Sequence, residues 1–201
     1  MARSPFRVAL TFDAEHPDRP SRVGATGRVL ETLADRGVQA SFFVQGRWAT
    51  ACPDVARSLV EGGHLIGNHS FYHAPMPALS PAALDADVRA AERAILQVTG
   101  VDPRPWFRCP FGAGSHDEAI LGRLSRLGYR ETRWDVDGSD WRPRTSARRL
   151  IRSVLDGAVE HGDGTVVLLH PWTTAADRGL ASILDGLRSA GATFVRLDDL
   201  S

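Results

Sequence analysis

Two histidines four residues apart, His69 and His73 in Gly67-Asn68-His69-Ser70-Phe71-Tyr72-His73, are the first residues whose spacing suggests chemistry. On one helical turn, positions i and i+4 share a face, so both rings would point at one ion. Imidazole is the commonest protein ligand for a transition metal, and such a pair is half of a metal site. The zincin pattern H-E-x-x-H is absent: Ser70 follows His69, so the turn carries no glutamate base. An isolated H-x-x-x-H is more often two ordinary helix histidines. What decides between the two is which groups the fold brings beside the pair.

The elements around it alternate. Arg7 to Phe12 is a compact apolar run with the pattern of a buried strand, ending in the polar Asp13-Ala14-Glu15-His16-Pro17. A helix is expected from Val23 to Arg36 with Gly37 as its cap, a strand over Val38–Val44, and a helix over Pro53–Glu61. The run His64-Leu65-Ile66 reads as a third strand delivering the histidine turn. A long helix, Pro81 to Val98, is capped by Ser80. The second half repeats the rhythm, with strands at 105–108, 129–134, 165–169 and 193–196 and helices at 117–127, 146–160 and 176–190. Such alternation argues a parallel α/β architecture in one domain, residues 1–201.

An open doubly wound sheet is the rival, but no G-x-G-x-x-G follows the first strand. Polar groups stand instead after five separate strands: Asp13 and Glu15, His69 and His73, Arg108, Asp137 with Asp140 and Trp141, and His170. A barrel gathers all its strand ends at one mouth, whereas an open sheet gathers them only at a switch point. The chain is short for eight βα units, so an incomplete (β/α) barrel of about seven parallel strands fits best. The groups at its mouth are those of metal-assisted hydrolysis: ligands, a carboxylate base, a cation to tune it and a separate imidazole acid.

These segments resemble, in order, the signature of the polysaccharide deacetylase family, the NodB-homology carbohydrate esterases. That signature runs T-F-D-D, H-S/T-x-x-H, R-x-P-Y/F-G, D-x-x-D-W and L-x-H, on a distorted (β/α) barrel. The chain has Thr11-Phe12-Asp13, His69-Ser70-Phe71-Tyr72-His73, Arg108-Cys109-Pro110-Phe111-Gly112, Asp137-Gly138-Ser139-Asp140-Trp141 and Leu168-Leu169-His170. The resemblance implies a hydrolase that removes acetyl groups, N-acetyl before O-acetyl, from an acetylated carbohydrate. It implies Asp13 as general base, Arg108 as its partner, and the Phe111 backbone N–H as oxyanion donor. His170 is implied as general acid, with Asp140 fixing its tautomer and raising its pKa, and Trp141, Trp172 and Leu168 as an apolar floor for the acetyl methyl. Cys109 reads as packing, since no triad partner is evident.

One position departs from the pattern. Where the family has a second aspartate as third metal ligand, this chain has Ala14, which cannot ligate. Glu15, one residue on and one methylene longer, is the favoured third ligand beside His69 and His73; His16 is the rival, and loss of the metal a third outcome. The implied cofactor is one divalent metal, zinc first, with cobalt, nickel or iron open. Two other functions stay open: a metal-independent hydrolase of cyclic amides or ureides on the same barrel, and an inactive sugar-binding relative.

Composition narrows the partners. The 201 residues carry 24 basic and 24 acidic side chains, all the basic ones arginine, so no net charge draws the chain to nucleic acid or an anionic membrane. No apolar run reaches the length of a membrane span, and no signal-peptide core is legible, which favours the cytoplasm. Two cysteines, Cys52 and Cys109, are too few for a disulfide framework. No protein partner is legible.

Overall fold

The computed structural model describes residues 5–18 and 24–200. β1 (Phe6–Ala14) is followed by α1 (Ala25–Asp35), β2 (Ser41–Val44), α2 (Gly46–Ala51), α3 (Pro53–Glu61), β3 (Leu65–Asn68), α4 (Pro81–Thr99) and β4 (Trp106–Phe107). Then come α5 (Glu118–Arg126), β5 (Arg130–Glu131), β6 (Val136–Asp137), α6 (Ala147–His161), β7 (Thr165–Leu169), α7 (Thr174–Ser189) and β8 (Ala192–Val195). The expected start of the first helix at Val23 lies outside the described residues.

Every strand pair is parallel, in the order β5-β4-β3-β2-β1-β7-β6. β1 meets β7 along Val8–Phe12, β2 along Thr11–Ala14 and β8 along Phe6–Ala9. Since β7 overlaps both other registers, β2 and β8 must share the opposite edge of β1, one above the other. The end strands β5 and β6 do not pair, so the sheet curls without closing. This is the incomplete barrel expected from the sequence. At the seam the chain steps directly across: Thr132 N–H donates to Phe107 O at 2.7 Å and Asp135 N–H to Val166 O at 2.9 Å.

The period of two along a strand sorts the core into two regions. Val8, Leu10, Phe12 and Ala14 of β1 join Phe42 and Val44 of β2 and Val167 and Leu169 of β7 in a large cluster against the helices. The alternate residues Ala9, Phe43, Leu65 and Val166 meet Trp106, Leu197 and Leu200 in a small cluster inside the curl. Above Ala9, the inward positions of β1 become Thr11 and Asp13, both buried. One strand therefore supplies core on one face and polar groups on the other.

The two shortest neighbours of the seam, β5 and β6, have two residues each, where a six-residue strand at 129–134 was expected. Arg108 explains the early end of β5: its guanidinium takes the Thr132 and Arg133 carbonyls, at 3.0 and 3.4 Å, that a longer ladder would use. α2, absent from the sequence reading, is a six-residue turn of helix after β2. No helix among the described residues is long and apolar enough to cross a membrane.

Candidate active site

His69 and His73 do not lie on a helical turn, contrary to the spacing. They flank an irregular loop after β3 in which Ser70 (φ 67°) and His73 (φ 59°) are left-handed. Side chains replace the helical hydrogen bonds. Ser70 N–H donates to Asn68 Oδ1 (2.9 Å) and His73 N–H to Ser70 Oγ (3.0 Å), while Phe71 and Tyr72 N–H donate to the Asp87 carboxylate of α4 (3.0 Å each). This loop still aims both rings inward: their Nε2 atoms are 3.1 Å apart. His69 Nδ1 stands 2.9 Å from Arg108 O, and a carbonyl only accepts, so Nδ1 carries a proton and Nε2 is the atom turned toward His73 and Glu15.

Glu15 enters from the end of β1. Asp13 and Glu15 are two apart, so they share the inward face, while Ala14 packs outward against the helices. That geometry accounts for the departure from the D-D pattern: at this register the residue after Asp13 points away from the site. Glu15 Oε2 lies against His73 Nε2 and 3.4 Å from His69 Nε2. Metal–ligand bonds of about 2.0–2.2 Å put neighbouring ligand atoms roughly 3.0–3.4 Å apart. His69 Nε2 stands at such spacing from both His73 Nε2 and Glu15 Oε2, so the three converging atoms fit a divalent cation. Glu15, His16 and His73 also bring one donor atom each within 4.8 Å of one another. The tighter set is Glu15, His69 and His73.

Burial works to raise the Glu15 carboxyl, but hydrogen bonds from His16, His69 and His73 outweigh it and hold it far below the usual carboxylate range. Burial opposes charge on both rings as well. At His69 the Asp13 and Glu15 carboxylates prevail and raise its pKa; at His73 burial and the neighbouring histidines prevail and lower it.

Arg108, fully buried, spans the barrel beneath this centre. Its Nη1 donates to Asp13 Oδ1 (2.8 Å) and Thr11 Oγ1 (2.9 Å), and its Nε to Thr132 O (3.0 Å). The guanidinium lies 4.0 Å over the Phe43 ring and 5.4 Å from that of Trp134. Asp13 is thus clamped on one oxygen, and its other oxygen stands 3.5 Å from His69 Nε2.

Opposite, His170 follows β7, and its Nδ1 is 2.8 Å from Asp140 Oδ1. The second Asp140 oxygen accepts from His170 N–H (2.9 Å) and from Thr173 Oγ1 (2.8 Å), the N-cap of α7. Helix cap and imidazole are wired to one carboxylate. Burial opposes the imidazolium, yet the Asp140 charge and hydrogen bond prevail, with Asp13 and Glu15 adding, and push His170 up to about 9. Gly138 lets this loop approach: a Cβ there would sit 3.1 Å from Leu168 O and 2.8 Å from Leu150 and Leu169.

Asp13, Glu15, His16, His69, His73 and His170 line one cavity of about 310 Å³ together with Phe111, Trp134, Asp137, Trp141 and Leu168. Phe111 is left-handed (φ 58°) and its ring stands edge-on to His73 at 4.4 Å. Trp172, expected in the floor, is not in the cavity wall; it stands behind His170 and His16, at 5.5 and 6.2 Å between ring centres. Trp134, which the sequence reading did not single out, is in the wall. It stands next to the seam, outside the matched motifs, and nothing in its local sequence marks it. Cys109 is a free, buried thiol whose pKa burial raises, in keeping with packing. A larger open depression, about 590 Å³, lies around His64 and Arg196, away from all of these residues.

The family model for polysaccharide deacetylases matches residues 2–132. The chain belongs to the polysaccharide deacetylase family. Among its relatives is the peptidoglycan-N-acetylglucosamine deacetylase PgdA of Listeria monocytogenes, 33% identical over 199 residues, 99% of this chain but only 40% of PgdA. A chitooligosaccharide deacetylase of Azorhizobium caulinodans is 32% identical over 165 residues, 81% of this chain and 72% of that protein. Among solved structures, a family 4 carbohydrate esterase pseudoenzyme from Bacillus anthracis superposes with a TM-score of 0.86 at 26% identity, covering 98% of this chain and 65% of that one.

Proposed function

We propose that this chain is a metal-dependent deacetylase that hydrolyses N-acetyl groups of an acetylated glycan. One observation carries the reading: Asp13 backed by Arg108, the Glu15–His69–His73 cluster, and His170 backed by Asp140 all meet at one cavity. A divalent metal held by Glu15, His69 and His73 would acidify a water and polarise the acetyl carbonyl. Asp13, aimed by the Arg108 hydrogen bond, takes the proton of the attacking water. The Phe111 N–H, turned by its left-handed backbone, is the donor for the developing oxyanion. His170, protonated near neutrality through Asp140, gives its proton to the leaving nitrogen. Trp141 and Leu168 shape the apolar wall for the acetyl methyl, and the exposed edge of Trp141 is free to stack on a sugar ring.

Relatives that act on peptidoglycan and on chitooligosaccharides support the N-acetyl linkage as the target. The similarity to a pseudoenzyme supports a second reading, sugar binding without turnover. Against it stands the retained acid–base set, which binding alone does not require. Acetate release from chitooligosaccharides and peptidoglycan fragments, with zinc, cobalt or nickel added to chelator-treated protein, tests the proposal. Metal-restored release is expected; no release with any metal, despite bound glycan, would leave the binding reading.

A further inference from the structure

The two oxygens of Glu15 face different groups. Oε2 lies against His73 and near His69, whereas Oε1 is 3.1 Å from His16 Nε2 and 3.9 Å from His170 Nε2. From this division we infer that His16 is a positioning residue: its Nε2–H donates to Glu15 Oε1 and fixes the carboxylate so that Oε2 faces the Nε2 atoms of His69 and His73. The inference rests on the reading of Glu15, His69 and His73 as a metal site.

Three features support it. A glutamate has one more rotatable bond than the aspartate of the family pattern, so a ligand at this position needs a restraint that an aspartate would not. His16 itself is fixed: its backbone is left-handed (φ 55°), and its N–H donates to Oε1 of buried Gln45 at 2.9 Å. Gln45 in turn is held by its own N–H, which donates to Ala14 O at 3.0 Å. The His16 ring is wedged edge-on between His73, at 4.6 Å, and Trp172, at 6.2 Å between centres. A chain of contacts thus runs from the buried Gln45 to the ligand oxygen. A neutral imidazole suffices, since only the Nε2 proton is used. Hydrogen bonds to ligand carboxylates typically contribute about 10–100-fold in metal affinity.

The alternative is that His16 ligates directly, and the test separates the two. Zinc affinity is measured by competition with a chelating dye for wild type, His16→Ala, His16→Gln and His73→Ala, and the imidazole count by X-ray absorption on zinc-loaded protein. Positioning predicts that His16→Ala weakens zinc about 10–100-fold and that His16→Gln, whose amide N–H can donate to Oε1, recovers most of the loss. It also predicts two imidazoles in both wild type and His16→Gln. Three imidazoles in wild type and two in His16→Gln would make His16 a ligand and overturn the inference. Unchanged affinity in His16→Ala would also overturn it. Unchanged affinity in His73→Ala would instead overturn the metal site beneath it.

Discussion

Replacing Asp140 by Asn removes one negative charge and almost no volume. In the native site the carboxylate takes His170 from 6.5 to about 9 against the cost of burial. That rise corresponds to a preference for the imidazolium on the order of 3 kcal/mol. An asparagine keeps one oxygen for the His170 and Thr173 donors, but its NH₂ then faces Nδ1 and requires that nitrogen to be unprotonated. The imidazolium loses its main support while burial still opposes it and Asp13 and Glu15 add less, so its pKa falls toward the ordinary 6.5. At pH 8.5 about three quarters of the native rings and about 1% of the variant rings would be protonated, a roughly 75-fold loss of the acid form. At pH 6 the protonated fractions differ far less. In kcat/KM the alkaline limb should therefore move to lower pH by up to about two and a half units. A bound divalent ion beside Glu15 lowers both curves, so the comparison is between the two proteins at equal metal loading. Proton NMR of the His170 ring in chelator-treated protein supplies the same pKa without turnover. Stability must follow with the matching sign: a histidine raised on folding stabilises fully below about 6.5 and loses that contribution as pH rises through about 9. The Tm advantage of the native protein over Asp140→Asn should shrink across that window. A His170 resonance titrating near 6.5 in both proteins, with coincident alkaline limbs, would refute the reasoning.

Asp13→Asn should keep the metal and lose turnover by roughly 10²–10⁴-fold, whereas Glu15→Ala should weaken metal binding and recover with excess metal. A shared metal-rescuable phenotype would contradict that division of labour. Arg108→Met should lower stability by about 3–5 kcal/mol in urea unfolding, because it leaves the buried Asp13 carboxylate without its cation; a loss under about 1 kcal/mol would count against the clamp. His170→Ala should damage N-acetyl sugar hydrolysis far more than aryl acetate hydrolysis at unchanged metal content, since a phenolate leaves without a proton and an amine does not. Equal losses on both substrates would return His170 to a structural role.

Long apolar strands were legible in the sequence, and short ones were not. β7 appears at 165–169 as expected because it is buried against helices and reads as an unbroken Thr-Val-Val-Leu-Leu run. β5 and β6 have two residues each, too few for any periodicity, and their extent is set by the Arg108 guanidinium from elsewhere in the chain. The i, i+4 spacing of His69 and His73 was informative about the partners and misleading about the backbone. Asn68, Ser70 and Asp87 side chains hold a left-handed loop there, and Asp87 comes from a helix fourteen or more positions away in sequence. Residues in the matched motifs could be placed from order alone. Trp134 could not, because only the seam crossing brings it to the cavity, and Trp172 points behind the imidazole that its sequence neighbour His170 presents.

Along β1 the two faces answer to different selection. Val8, Leu10, Phe12 and Ala14 hold the helix layer, while Thr11 anchors Arg108 and Asp13 and, just past the strand, Glu15 line the cavity of the proposed site. A saturation scan of these seven positions should therefore read as two interleaved records: even numbers scoring in abundance, odd numbers from Thr11 onward scoring in turnover at near-normal abundance or in metal content. A single-residue deletion inside the strand would swap the faces of every residue on one side of it, turning apolar side chains toward the cavity or carboxylates toward the helices. Length variation in this family member is thus excluded from its first strand and confined to the loops, so that the strand acts as the ruler against which every other motif is positioned.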